Sequence, residues 1–124
     1  MKLETKVAPP SSVIFVMDYS HGKTPDSFDG KLVAATASCI AIGTLSEVDG
    51  ETLIILTDEN TNGCSDKDFI FDNSIETPNH EVSVCTAMNK CLMTIQSRSN
   101  HTRVRICVND EKEPDRIEIV VNVN

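Results

Sequence analysis

The sequence is poor in aromatic residues: it contains no tryptophan, one tyrosine and four phenylalanines. Aliphatic side chains must therefore build most of any hydrophobic core. Hydrophobic residues make up 40% of the 124 positions, which is enough for a folded domain and argues against intrinsic disorder. No repeat or interior linker divides the chain, so we expect a single domain over residues 1–124.

Several motifs that carry chemistry are also missing. The sequence has no GxSxG, no HExxH and no glycine-rich phosphate loop. Its histidines, His21, His80 and His101, stand at no ligand spacing from one another. We therefore expect a protein that is not an enzyme and that needs no cofactor or metal.

Long apolar runs and paired cysteines are absent as well. The apolar run Val13–Met17 is too short to span a membrane and too poorly flanked for a signal peptide. The five cysteines form no CxxC pair and are odd in number. These features predict a cytoplasmic protein with its cysteines as thiols, most of them buried in strands.

Basic residues are scarce in one part of the chain. The net charge is −8, and residues 47–81 carry ten acids against Lys67 alone. We call residues 47–81 the acidic segment. Such a segment repels nucleic acids and anionic membranes and attracts cationic proteins, so we expect a basic protein partner, no nucleic acid and no membrane. Ordinary solubilisation is the alternative explanation for the charge.

The hydrophobic pattern has mainly period two. Val104, Ile106 and Val108 alternate with arginines, and Ile117, Ile119 and Val121 alternate in the same way to the C-terminus. Residues 32–45 are ambiguous, because their alanines suit a helix, but Ile40 and Ile42 would share one face of a strand and Gly43 weakens a helix, so we expect a strand. Asp49-Gly50 is a hairpin signal. The pattern predicts an all-β fold, an antiparallel β-sandwich of seven or eight strands.

One loop in the acidic segment partly matches a calcium-binding motif. Asp58, Asn60, Asn62, Gly63 and Asp66 occupy positions 1, 3, 5, 6 and 9 of an EF-hand loop. Phe69 stands where the bidentate glutamate belongs, and the preceding segment has the pattern of a strand. A calcium- or small-ligand-binding β-sandwich is therefore the alternative function.

The C-terminal half resembles the competence-protein-J-type inhibitors of bacterial nucleases and similar β-sandwich immunity proteins. The resemblance covers residues 69–123 and follows the order Phe69–Phe71, Ile75–Asn79, Val82–Val84, Arg103–Ile106 and Ile117–Val123. It implies a cytoplasmic immunity protein or antitoxin that neutralises a toxin nuclease. The implied toxin is a ribonuclease of the contact-dependent growth inhibition type, whose phosphate-binding active site an acidic surface would cover.

These considerations give a set of candidate partner-binding residues, all of them carboxylates of the acidic segment. The first choices are Asp58, Glu59, Asp66, Asp68 and Asp72, and the second choices are Glu47, Asp49 and Glu51. The hypothesis requires that these groups converge on one surface. Separately, we expect Arg98, Arg103 and Arg105 to pair with Asp110, Glu111 or Asp115 rather than to form a nucleic-acid patch.

Overall fold

The computed structural model describes residues 1–59 and 69–123. These residues form ten β-strands and one short 3-10 turn, Pro10–Ser12. The strands are β1 Lys2–Val7, β2 Val13–Met17, β3 Val33–Ala35, β4 Cys39–Gly43, β5 Thr52–Thr57, β6 Phe69–Glu76, β7 Glu81–Thr86, β8 Cys91–Gln96, β9 His101–Val108 and β10 Arg116–Val121. The all-β prediction is confirmed, but seven or eight strands was too few.

The strands form two sheets of five strands each. The first sheet has the order β1-β5-β10-β9-β6, and the second has the order β3-β4-β2-β7-β8. Alternate side chains of both sheets meet in one core cluster that includes Ile14, Ile42, Ile54, Ile106 and Ile119. This aliphatic core agrees with the shortage of aromatic residues.

One strand pair departs from the predicted antiparallel arrangement. β5 and β10 run parallel, with Arg116 opposite Leu53 and Ile119 opposite Leu56. The other strand pairs among the described residues are antiparallel. A parallel pair requires a long crossover, which the chain supplies between Thr57 and Arg116. Periodicity alone does not distinguish the two kinds of pairing.

Residues 32–45 are extended, as predicted, but they form two strands. β3 and β4 are joined by a turn in which the amide of Thr36 donates to the carbonyl oxygen of Cys39. The hairpin predicted at Asp49-Gly50 is wrong. β4 lies in the second sheet and β5 in the first, so residues 44–51 cross between the sheets rather than joining paired strands.

The cysteines differ from the prediction in two respects. Cys107 is disulfide-bonded rather than a thiol. Cys91 is exposed, whereas Cys39 and Cys85 are buried thiols as predicted. In the described ranges, no helix is long and apolar enough to cross a membrane.

Candidate functional site

The strands of both sheets end on two opposite sides of the molecule, and residues of the acidic segment lie on both sides. Leu45 donates its amide to Pro114, and Arg116 lies opposite Leu53, so the loops before β5 and before β10 are adjacent. We call this side, formed by loops 44–51 and 109–115, the acidic end. Asp58 follows the other end of β5, which spans about 20 Å at 3.3 Å per residue. The described carboxylates of the acidic segment therefore do not converge at one place, contrary to the sequence hypothesis.

Two first-choice residues, Asp58 and Glu59, lie at the end opposite the acidic end. The terminal amine of Met1 is 2.7 Å from Oδ1 of Asp58 and 3.1 Å from Oε1 of Glu59. This amine lowers the pKa of the Asp58 carboxyl, mainly through the hydrogen bond. Both carboxylates thus have a cationic neighbour within the chain.

Asp72, another first choice, is held by two arginines of the neighbouring strand. Nε and Nη2 of Arg103 donate to its two carboxylate oxygens at 2.8 and 3.0 Å. Nε of Arg105 lies 3.3 Å from Oδ2, and its guanidinium lies over the ring of Phe69 at 5.0 Å. Arg103 and Arg105 therefore pair with Asp72 rather than with the predicted Asp110, Glu111 or Asp115.

The remaining first choices cannot be placed. Asp66 and Asp68 lie outside the described residues, and so do Asn60, Asn62 and Gly63 of the calcium-loop pattern. In the described part of the chain, no group of three or more His, Cys, Asp or Glu side chains could hold a metal ion. The calcium alternative remains a prediction.

The second-choice residues lie at the acidic end, and the turn after β1 positions them. The amide of Glu47 donates to Oγ of Ser12 at 3.0 Å, and the amide of Ser11 donates to Oε1 of Glu47 at 3.3 Å. Ser11 and Ser12 have φ values of 59° and 55°, a left-handed conformation that costs non-glycine residues on the order of 1 kcal/mol each. The fold retains this strain where it fixes the acidic loop.

Glu47, Asp49 and Glu51 are exposed, and within the described ranges they form no ion pair with a basic side chain. This distinguishes them from Asp58, Glu59 and Asp72. Their charge is available to a partner without the loss of an internal ion pair.

The loop 109–115 adds carboxylates that the sequence analysis left out of the site. Oδ1 of Asp110 accepts the amides of Lys112 and Glu113 at 2.8 and 2.9 Å, and these bonds lower the pKa of Asp110. The two loops together contain Glu47, Asp49, Glu51, Asp110, Glu111, Glu113 and Asp115, with Lys112 as their one base. The signal that could have found them is the charged turn before the last strand. Nothing in the sequence indicated that β10 would pair with β5.

Two exposed apolar side chains also lie at this end. Val48, between Glu47 and Asp49, is 87% exposed, and Met88, in the turn between β7 and β8, is 75% exposed. Thr86 at the start of that turn pairs with Ile14, which lies two residues after Ser12 in the chain. An exposed apolar residue within a ring of charge is typical of an interface anchor.

Two open grooves meet beside the loop 109–115. The larger has a volume of about 680 Å³ and is lined by Ser12, Phe28, Leu32 and Glu111, among others. The second, of about 630 Å³, is lined by Phe69, Val108 and Asp110, and both include Lys112. The acidic end is therefore concave rather than flat.

The three histidines gather at the opposite end, although they are far apart in sequence. Nε2 of His21 lies 2.9 Å from Oε1 of Glu76, which pairs with His101 in the sheet. Nε2 of His80 lies 2.8 Å from Oδ1 of Asn100. The His21 contact lowers the pKa of Glu76. These are exposed surface contacts in which no nucleophile takes part.

Comparisons with known proteins identify the fold. No family model matches the sequence, and no curated protein matches it. The chain is similar to the crystal structure of ComJ, inhibitor of the DNA-degrading activity of NucA, from Bacillus subtilis. The TM-score is 0.66 at 12% identity, over 96% of this chain and 93% of that chain. It is also similar to the product of crocagin biosynthetic gene J, with a TM-score of 0.55 at 10% identity over 97% and 94% of the two chains.

The resemblance to competence-protein-J-type inhibitors predicted from residues 69–123 is thus confirmed, and it extends over nearly the whole chain. At 12% identity, the likeness establishes a shared fold.

Proposed function

We propose that this protein is a cytoplasmic β-sandwich inhibitor that binds a basic nuclease and covers its active site with the acidic end. The likeness to an inhibitor of a DNA-degrading nuclease supports the class of partner. We propose a toxin nuclease as this partner, namely a ribonuclease of the contact-dependent growth inhibition type.

One observation carries this proposal beyond the fold: Glu47, Asp49 and Glu51 are exposed, free of ion pairs with described bases, and adjacent to the carboxylates of loop 109–115. A nuclease active site is electropositive because it binds phosphates. A cluster of fixed carboxylates can therefore occupy it in place of the substrate. Steering between opposite charges would also speed association at low salt.

The internal ion pairs of the carboxylates rank the candidate residues. Contact through Asp58 or Glu59 would compete with the amine of Met1, and contact through Asp72 would compete with Arg103. Giving up these internal contacts opposes binding. We therefore place Glu47, Asp49 and Glu51 at the centre of the partner surface and Asp58, Glu59 and Asp72 outside it, and we retain Asp66 and Asp68 as candidates.

The test uses a cognate basic nuclease, sought first among the products of the neighbouring genes, and a nucleic-acid degradation assay. The protein should inhibit degradation at stoichiometric concentration. Glu47→Lys/Asp49→Lys/Glu51→Lys should weaken inhibition at least about 100-fold, since buried charge pairs across interfaces contribute several kcal/mol. The matched control, Asp58→Lys/Glu59→Lys, reverses charge at the opposite end and should retain inhibition.

The two parts of the proposal fail in different ways. If the unmodified protein leaves the nuclease fully active and does not bind it, the inhibitor function is wrong. If the protein inhibits, but the control variant loses inhibition and the acidic-end variant does not, the function stands and the assigned surface is wrong.

A further inference from the structure

Two free cysteines meet on the outer face of the second sheet, and a β-bulge brings them together. Val84 pairs with Met93, yet the next residue, Cys85, pairs with Cys91, so Leu92 is skipped. In a regular ladder Cys85 would oppose Leu92, and Cys91 would share the inward face of Met93 and Ile95. Because the bulge skips Leu92, Cys91 instead shares the outward face of Cys85.

Contacts of the Cys91 sulfur confirm the outward orientation. Its Sγ lies 3.2 Å from Oγ1 of Thr94, and Thr94 itself bonds Oγ of Ser83 at 2.8 Å. Ser83 precedes Cys85 by two residues and therefore shares its face of the strand. Directly opposed residues in an antiparallel pair have Cα atoms about 4.5 to 5.5 Å apart, the range in which disulfides form.

The two thiols differ in accessibility. Cys91 is exposed, whereas Cys85 is fully buried beside Cys39 and Met17. Burial raises the pKa of Cys85 to about 12, with smaller contributions from Cys91 and Cys39. An oxidant in solution therefore meets Cys91 first, while Cys85 stays protonated.

We propose that Cys91 and Cys85 form an oxidation site, in which a hydroperoxide oxidises Cys91 and Cys85 then closes an intramolecular disulfide. The proposal does not depend on nuclease binding. It concerns the hairpin that carries Met88 and would close a ring around that turn.

The chemistry balances in two steps. The Cys91 thiol loses its proton, the thiolate attacks one peroxide oxygen and the O–O bond breaks, which gives a sulfenic acid and a hydroxide that takes up that proton as water. The sulfur of Cys85 then attacks the Cys91 sulfur, the S–O bond breaks, and the released hydroxide takes the Cys85 proton as water. Two thiols lose two electrons, and the peroxide is reduced to two molecules of water (or to water and an alcohol, for an alkyl hydroperoxide). Proximity favours the second step over further oxidation by a second peroxide.

Lys90, which is exposed and lies between the two cysteines, makes the site easy to test. The protein is treated with hydrogen peroxide, unfolded, titrated for thiols and digested with trypsin without reduction. Cleavage after Lys90 separates the Cys85 peptide from the Cys91 peptide, so only a disulfide keeps them together. We expect the loss of two thiols per chain and a mass decrease of about 2 Da, with both peptides recovered as one species.

Two variants complete the experiment. Cys91→Ser should lose no thiol pair under the same treatment, and Cys39→Ser should still give the joined peptides. Unjoined peptides with Cys91 as sulfinic or sulfonic acid would overturn the proposal. It would equally be overturned if the joined species contained Cys39 in place of Cys91.

Discussion

The carboxylate of Asp18 binds Asn79 twice across the fold: Oδ2 accepts the backbone amide at 2.7 Å and Oδ1 accepts Nδ2 at 3.1 Å. Asp18 directly follows β2 and is fully buried, and Asn79 lies in the turn between β6 and β7. Since β6 and β7 belong to different sheets, this contact fixes the crossing of the chain from the first sheet to the second.

Replacement of Asp18 by alanine should destabilise the protein by about 1 to 3 kcal/mol, because it leaves the amide of Asn79 without an acceptor. Asn79→Ala removes only the side-chain donor and should cost less. Urea unfolding of the two variants measures the difference. Equal losses would mean that the backbone amide contributes nothing and that the interpretation is wrong.

The second prediction concerns the support of the acidic loop. Ser12→Ala removes the hydroxyl that accepts the Glu47 amide, at a cost in stability of about 0.5 to 1.5 kcal/mol. Under the proposed function, it should also weaken nuclease inhibition, because Glu47 is no longer held in place. The effect is measured as nuclease activity at increasing concentrations of the variant and of the unmodified protein. Ser27→Ala, in the exposed loop before β3, is the control and should leave inhibition unchanged; a parallel loss there would contradict the assignment.

Period-two alternation located most of the strands, since residues such as Ile106 and Ile119 must face a core wherever the strand lies. It missed β1, whose lysines and glutamate are exposed on a strand at the edge of its sheet. Charge counting found Glu47, Asp49 and Glu51, but it could not separate them from Asp72. That distinction depends on the pairing of β6 with β9, which places two arginines beside Asp72. Strand order is set by contacts between distant segments, and local patterns carry little information about it.

The third prediction is a pH dependence of stability. The Arg103 guanidinium, with Arg105, holds the pKa of the Asp72 carboxyl below its ordinary value. A carboxyl with a depressed pKa stabilises the fold at pH values above its unfolded pKa, near 4, and this contribution is lost as the pH falls through the folded pKa. Asp72→Asn should therefore lower stability at pH 7 by up to about 1 kcal/mol and have little effect near pH 2.

Denaturant unfolding of Asp72→Asn, Arg103→Gln and the double variant across this pH range checks the assignment. If the two residues act as a pair, the double variant should be no less stable at pH 7 than either single variant alone. A loss in Asp72→Asn that is the same at both pH values would assign the effect to packing rather than to charge.

The fourth prediction concerns the apolar side chains of the acidic end. Val48 and Met88 are 87% and 75% exposed, so their truncation should change the stability of the free protein by no more than about 0.5 kcal/mol. In a complex with the proposed nuclease, they would become buried within a ring of charged contacts, the position in which anchors contribute most. Val48→Ala and Met88→Ala should then weaken binding about 5- to 30-fold each, chiefly through faster dissociation.

Surface plasmon resonance at two salt concentrations separates the apolar contribution to affinity from the electrostatic one. The loss from Val48→Ala should be nearly independent of salt, whereas the loss from Glu47→Lys should shrink as salt screens the carboxylates. Unchanged affinity in both apolar variants would place the partner elsewhere on the molecule.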